Sequence, residues 1–509
     1  MSDMNTNQVE QTPKKRKMLN AFTILFIITA VVAILTWIIP SGVYDVDADG
    51  NFIAGTYHTV EKTAQGFWDL FSAPIRGFLG TDSTPGALEV SFFILMVGGF
   101  LGVVNETGAI DAGIGSLIKN NSKNVSILIW VLMFVFALGG STYGMAEETV
   151  AFYPLLIPLM VGVGMDALVA VAVVLVGSGL GVLSSTVNPF ATVIASDMAG
   201  ISTADGMVLR LIFFAVTYVI GAWYVSSYAK KVMEDPKRNS YIADHIESDK
   251  EKWAVEEDAP APTGKQKGVL IIFMLTFVLM ILALIPWGDL NENWTFFESL
   301  TNWITGLPII GALVGKSLIP FGTWYLTEIS VLFFMMSVII ALYYKMNESR
   351  FVEVFINGVT DLISVALICA VARGIQVVMN DGQITATVLH WGEMSLANLP
   401  KWAFTTLTYI FYIPMSFLIP STSGLAAATM GIMAPLGEFA NVARSIVVTA
   451  YQCASGIVNL ITPTSGVVIG ALAIANIEIG TWWKFMKNLI IIVFVVCLVL
   501  LLAGAYLGI

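Results

Sequence analysis

Glu147 and Glu148 follow a Gly/Ser/Thr tract, Ser141-Thr142-Tyr143-Gly144, inside otherwise apolar sequence, and a lone Arg373 sits within a second apolar run. Adjacent carboxylates in a low-dielectric setting attract a cation, whether a proton, Na⁺ or the charged end of a solute. A single guanidinium suits a carboxylate. The competing structural roles are a helix-N-terminal charge or an internal ion pair for the acids, and snorkelling or pairing for the arginine. The tract has a second copy about 280 residues on, Ser421-Thr422-Ser423-Gly424, and there Ala427 and Ala428 stand in place of the acids. Arg373 in turn corresponds roughly to Gly99.

A second pair of polar breaks lies farther along. Ser184, Ser185 and Asn188 precede Pro189, and Thr462, Thr464 and Ser465 surround Pro463. Proline removes an amide donor, and hydroxyl and amide side chains replace the lost partners. Helices interrupted inside a membrane leave amides and carbonyls that lipid cannot satisfy, so they face protein, water or a ligand. Helix starts near residues 143–146 and 423–426 would offer amides to an anion. The hydroxyls and amides of the other breaks would suit a solute or Na⁺.

These residues need elements to carry them. Of 509 residues, 57% are hydrophobic and 12% charged, which excludes the usual soluble balance. The run Ala21–Ile39 is long enough to span and lacks a small-residue cleavage signature, so it stays as the first span. The net charge of -11 comes mostly from the polar N-terminus, the stretch after the first span and a central loop, so it does not call for a cationic partner or nucleic acid. Cys369, Cys453 and Cys497 are solitary and His58, His245 and His390 scattered, so neither disulfide, metal site nor catalytic constellation is expected, and no nucleotide-binding loop is present. An enzyme is therefore not expected.

Lys14–Lys17 assigns the N-terminus (1–20) to the cytoplasm, and Lys119, Lys123, Lys230 and Lys231 mark later returns. The pattern predicts a first span and external loop (21–64) and a first repeat (65–229). A charged cytoplasmic loop (230–267), read as a solvated connector, comes next, then linking spans (268–350) and a second repeat (351–509). The first repeat opens with an amphipathic stretch at 66–79 and a span at 90–104; the second with an amphipathic stretch at 351–361 and a span at 362–378. Each copy places its Gly/Ser/Thr tract in an interrupted apolar segment, about 125–160 and about 402–438, read as a re-entrant hairpin with two complete spans as the alternative. Aligning the copies matches Thr149 with Thr429, Ser178-Gly179 with Ser455-Gly456 and Leu183 with Leu460. Crossings counted from the N-terminus make the copies inverted. The expected fold is an all-α polytopic membrane protein with inverted repeats, re-entrant helical hairpins and broken transmembrane helices. Tyr143, Tyr153 and Tyr451 have the chemistry to line a polar cavity, with aromatic packing as the other reading.

The motifs Gly139-Gly-Ser-Thr-Tyr-Gly-Met-Ala-Glu-Glu148, Gly98-Gly-Phe-Leu-Gly-Val-Val-Asn-Glu-Thr-Gly108, Val187-Asn-Pro-Phe190 and Ala372-Arg-Gly374 resemble the YfcC/ArcD-like branch of the ion transporter superfamily. That branch is related more distantly to the anaerobic C4-dicarboxylate carriers. The resemblance covers Ala21 to Ile509 and implies scaffold and transport subdomains, elevator-like movement, a bacterial inner-membrane location and compatibility with a homodimer in lipid. It also implies a substrate site at Ser141–Gly144, Ser184–Asn188, Ser421–Gly424 and Thr462–Ser465. The leading expectation is exchange of external L-arginine for internal L-ornithine, with hairpin-tip dipoles and Arg373 on the carboxylate and Glu148 with Glu147 on the cationic group. The alternative is a Na⁺- or H⁺-coupled carrier of C4-dicarboxylates, neutral amino acids or peptides. No cofactor beyond such a coupling ion is expected.

Overall fold

The computed structural model describes residues 21–46, 53, 55–84, 86–110, 112–113, 125–142, 144–253, 262–285, 287–290, 294–315, 317–396 and 399–508. Lys14–Lys17, Lys119, Lys123 and Tyr143, used above, lie outside the described residues. Among the described residues the chain is all-α apart from a two-residue antiparallel pair, Gly42–Val43 with His58–Thr59, and a single bridge between Thr81 and Thr84. In chain order the opening helices are α1 (Ala21–Ile38), α2 (Phe67–Leu79) and α3 (Leu88–Glu106). Next come α4 (Val125–Thr142), α5 (Tyr153–Gly162), α6 (Ala167–Leu183), α7 (Ile194–Met198) and α8 (Met207–Glu234). The middle of the chain supplies α9 (Ile246–Trp253), α10 (Gly264–Leu284), α11 (Phe296–Gly306) and α12 (Leu326–Tyr344). The remainder is α13 (Glu348–Asp381), α14 (Thr385–Leu396), α15 (Lys401–Leu418), α16 (Thr422–Phe439), α17 (Arg444–Asn459), α18 (Gly466–Ile474) and α19 (Ile479–Leu507).

Among the described residues, six helices are long and apolar enough to cross a membrane: α3, α8, α10, α12, α13 and α19. α1, α4 and α6 are apolar but shorter. α6 is buried along nearly its whole length, and its run of Ala, Val, Leu and Gly is apolar on every side, as a helix enclosed by other helices must be. Asp166 caps it, accepting from the Val169 amide at 3.0 Å. α4 crosses α6 at backbone contact: a Cβ on Gly140 would come within 2.2 Å of the Ser178 carbonyl oxygen, and one on Gly181 within 2.1 Å of that of Ala137. Small residues permit such close crossings where no hydrophobic drive separates protein from lipid.

Two sequence expectations are corrected. The amphipathic stretch 351–361 and the span 362–378 are one 34-residue helix, α13. At 1.5 Å per residue it is about 51 Å long, well beyond a hydrocarbon core of about 30 Å. Gly358 does not break it, because it serves a crossing: Gly98 on α3 would place a Cβ 2.4 Å from the Gly358 carbonyl oxygen. Gly374 likewise lies against Ala73 of α2.

The charged central loop is also more than a solvated connector. The hydroxyls of Ser240 and Tyr228 each donate to Asp166 Oδ2 at 2.6 Å, and Ile242 and Asp249 are buried. α9 packs on α5, so the loop is seated on the α5–α6 turn. Burial raises the carboxyl of Asp249 above its ordinary range, against the opposing pull of His245.

Candidate functional site

Four polypeptide breaks converge on one cavity of about 250 Å³. The first follows α4. The amides of Gly144 and Met145 both donate to the Gly139 carbonyl, at 3.2 and 3.3 Å, and Gly144 has φ +82, a left-handed turn that glycine allows. A 3₁₀ turn, Glu147–Phe152, then leads into α5. Glu148 is 4% exposed, and its Oε2 accepts from the Ala146 amide at 3.0 Å. Glu147 is less buried and also lines the cavity.

The second break follows α6. The Ser141 hydroxyl donates to the Ser184 carbonyl at 3.1 Å, and the Thr186 amide returns to the Ser141 carbonyl at 3.0 Å. Asn188 donates to the Gly140 carbonyl at 3.2 Å and to the Ser185 hydroxyl at 3.1 Å, while its Oδ1 accepts the amides of Phe190 and Ala191. A π-helical turn, Pro189–Val193, carries the chain into α7. The two interruptions therefore brace each other, and most of their polar side chains are consumed in doing so.

The third break starts α16, where the Ser421 hydroxyl accepts the Gly424 amide at 3.2 Å. The fourth starts α18, capped by Ser465 on the Val468 amide at 3.5 Å, with Thr462 and Thr464 hydroxyls 2.7 Å apart. α16 and α18 thus begin at the cavity, where unpaired amides and the helix dipole favour an anion.

Of the residues singled out in the sequence, Gly144, Glu147, Glu148, Asn188, Arg373, Ser421, Thr422, Ser423, Thr464 and Ser465 line the cavity. Ser141, Thr142, Ser184, Ser185, Gly424 and Thr462 do not line it and hold backbone behind the wall; Tyr143 lies outside the described residues. Tyr153 and Tyr451 are fully buried away from it. Arg373 projects from α13, and its Nη1 donates to Gln376 Oε1 at 3.2 Å; among the described residues no ion pair joins it to either glutamate.

Asn459, Cys369 and Tyr325 are lining residues that the sequence reading did not assign to the site. Asn459 donates weakly to Thr422 and Ser455, and its Oδ1 is buried without a partner. Cys369 lies one turn before Arg373. Tyr325, at the start of α12, sets its ring centroid 5.8 Å from that of Phe190, tilted by 44°. Asn459 was the most findable, since it lies three residues before the Thr462 break.

The walls contain a reciprocal contact. A Cβ on Gly179 would meet the Leu460 side chain at 2.4 Å, and one on Gly456 would meet Leu183 at 2.5 Å. Sequence alignment pairs Gly179 with Gly456 and Leu183 with Leu460, so α6 and α17 touch through matching positions. The helices around them also match: α4 and α15 each have 18 residues.

Residues 18–506 match the family described as DcuC, C4-dicarboxylate anaerobic carrier. The chain is 30% identical over 532 residues to an uncharacterized protein of Haemophilus influenzae, covering 94% of this chain and 95% of that one. It is 27% identical over 539 residues to the putative basic amino acid antiporter YfcC of Escherichia coli, covering 98% and 99%. Among solved structures, the YdaH transporter of Alcanivorax borkumensis is similar with a TM-score of 0.43 and 14% identity, over 96% of this chain and 99% of that chain.

Proposed function

The chain belongs to the DcuC family of anaerobic C4-dicarboxylate carriers, a multi-pass secondary transporter of the inner membrane, and from that premise we propose that it carries a small dicarboxylate coupled to Na⁺ or H⁺. One observation carries the proposal: two capped helix starts and the lone guanidinium of Arg373 line the same cavity. Together they supply amide donors, hydroxyls and one cation for carboxylates. Glu147 and Glu148 are the coupling site. Two carboxylates beside a dianion repel it unless a proton or Na⁺ neutralises them, so the solute binds with its cations.

Inverted repeats, about 65–229 and 351–509, with hairpins near 125–160 and 402–438, are the arrangement we propose for carrying the site across the membrane. The reciprocal Gly179–Leu460 and Gly456–Leu183 contacts support it, because a two-fold axis between α6 and α17 generates such a pair. α13 then corresponds to α2 and α3 fused.

A second reading has its own observation. The Glu147–Glu148 pair in the same cavity as Arg373 suits a solute with both a carboxylate and a cationic end, and the E. coli relative is described as a putative basic amino acid antiporter. Exchange of L-arginine for L-ornithine follows from that reading. The experiment that separates the two is uptake into proteoliposomes of purified protein. Labelled succinate entering with an inward Na⁺ or proton gradient supports the first. Labelled arginine entering only against internal ornithine or arginine, with no succinate flux, replaces it with the second.

A further inference from the structure

We propose that Tyr325 is a solute-contacting residue of one access state only, and that Phe190 holds it there; this rests on the carrier reading above. Tyr325 alone among the lining residues comes from the segment between α10 and α12, outside all four breaks. Its position is fixed. The Tyr325 amide donates to Glu328 Oε2 at 2.9 Å, the Gly322 amide donates to the Ala283 carbonyl at 2.8 Å, and the Trp324 indole donates to Ile319 at 2.9 Å. The loop is thereby tied to the end of α10 and the start of α12.

The Tyr325 hydroxyl makes no hydrogen bond with any described residue, and Tyr325 lines the same cavity as Glu147, Glu148 and Arg373. A free phenol on the wall of a cavity that also holds three charged side chains is a donor and acceptor available to a solute. Its ring meets Phe190, which leans on Gly144, where even a methyl group would come within 2.9 Å of the Phe190 ring. Phe190 and Tyr325 are 38% and 40% exposed while also lining the cavity, so the pair stands at its rim.

Phe190 belongs to the α6–α7 break and Tyr325 to the start of α12, which packs on α3 and α10. If the breaks move across the membrane, Phe190 leaves with Asn188 and Tyr325 stays with α12. The phenol then contacts the solute on one face of the membrane and is absent on the other, giving the carrier unequal affinities at its two faces.

The test uses Tyr325→Phe, Tyr325→Ala and Phe190→Ala in the full chain, with succinate and L-arginine as probes. Cys369 is a native reporter, because it lines the cavity and is 8% exposed, whereas Cys453 and Cys497 are 0% exposed and lie away from it. Its alkylation by a small methanethiosulfonate reagent is read by peptide mass spectrometry. Tyr325→Phe is expected to weaken binding of whichever probe the wild type takes by about tenfold, about 1.4 kcal/mol, with unchanged melting and unchanged Cys369 labelling. In oriented vesicles its KM should rise on one face and stay within twofold on the other. Both alanine variants should label Cys369 at least about fivefold faster, since the rim opens. Wild-type affinity in Tyr325→Phe, an equal rise on both faces, or unchanged labelling in both alanine variants overturns the proposal. Failure of both probes to bind wild type counts against the solute class proposed above, and the labelling rates then decide the rim contact by themselves.

Discussion

Removing the Arg373 guanidinium should expose two separable effects. Among the described residues Arg373 is the one basic group lining the cavity, and its Nη1 also donates to Gln376 Oε1 at 3.2 Å, on a residue that is itself buried. A charge-assisted contact to a carboxylate contributes about 1.5–3 kcal/mol, so Arg373→Met should weaken succinate binding by roughly 10–150-fold. The orphaned Gln376 oxygen should separately lower stability by about 1–3 kcal/mol, read as a lower melting temperature. Arg373→Lys keeps the charge but loses the planar fork, and should fall between, with affinity reduced by about tenfold. Adding Gln376→Leu to Arg373→Met should restore much of the melting temperature without restoring binding, because the unpaired oxygen is gone while the guanidinium is still missing. The assay is equilibrium binding of labelled succinate to detergent-purified protein, beside a thermal melt on each variant. A folded Arg373→Met protein that binds succinate within twofold of wild type would refute the reasoning, and the guanidinium would then be an internal packing charge.

Glu148→Gln preserves the oxygen that accepts the Ala146 amide, so the protein should fold, but succinate uptake should lose its dependence on the Na⁺ or proton gradient. Wild-type gradient dependence in that variant removes Glu148 from coupling. Gly140→Ala places a methyl group 2.2 Å from a backbone carbonyl and should destabilise by about 1–3 kcal/mol or more, seen as early loss of the monodisperse peak on heating. A wild-type melt would mean that α4 and α6 are not at backbone contact. Tyr228→Phe removes a 2.6 Å donor from the buried Asp166 and should cost about 1–3 kcal/mol, with faster trypsin cleavage within 230–253. Unchanged cleavage would argue that the loop is not seated there.

Much of the helical order was legible because apolar runs and Gly/Ser/Thr/Pro interruptions are strong signals. The starts of α2 and α3 fall within a few residues of the stretches expected at 66–79 and 90–104. α13 was read as an amphipathic stretch followed by a separate span. Gly358 and Gly374 within it are each where another backbone presses close, a property that depends on residues more than 250 positions away. The candidate site was legible as a set of breaks but not residue by residue. Ser141, Ser184 and Ser185 carry the right chemistry and spend it on the backbone carbonyls of Ser184, Leu180 and Val182, since an interrupted helix must first satisfy its own backbone. Tyr325 left no signal at all, because it is an aromatic among tryptophans between α10 and α12 with no spacing relation to the paired breaks. The docking of the central loop was equally hidden: Asp166, Tyr228 and Ser240 are ordinary in sequence and meaningful only as a triad.

The charge asymmetry between the copies has a packing cause. A Cβ at Gly99, the counterpart of Arg373, would lie 2.5 Å from the Phe355 ring, so a side chain there would have to displace that ring. The guanidinium stands on α13, and the acids stand after α4. The cavity therefore holds two potential negative charges and one positive, and no operation that exchanges the copies preserves that distribution. Moving such a site through a low-dielectric barrier is costly when it is unneutralised. A bound dicarboxylate needs accompanying cations to reach neutrality, whereas a basic amino acid brings its own. The number of cations that cross with each solute thus follows from the occupant's charge, and measuring that number against solute charge tests the electrostatic argument without presupposing which solute is native. Equal cation counts for succinate and for a neutral amino acid, each shown to be carried, would mean that Glu147 and Glu148 do not set the coupling.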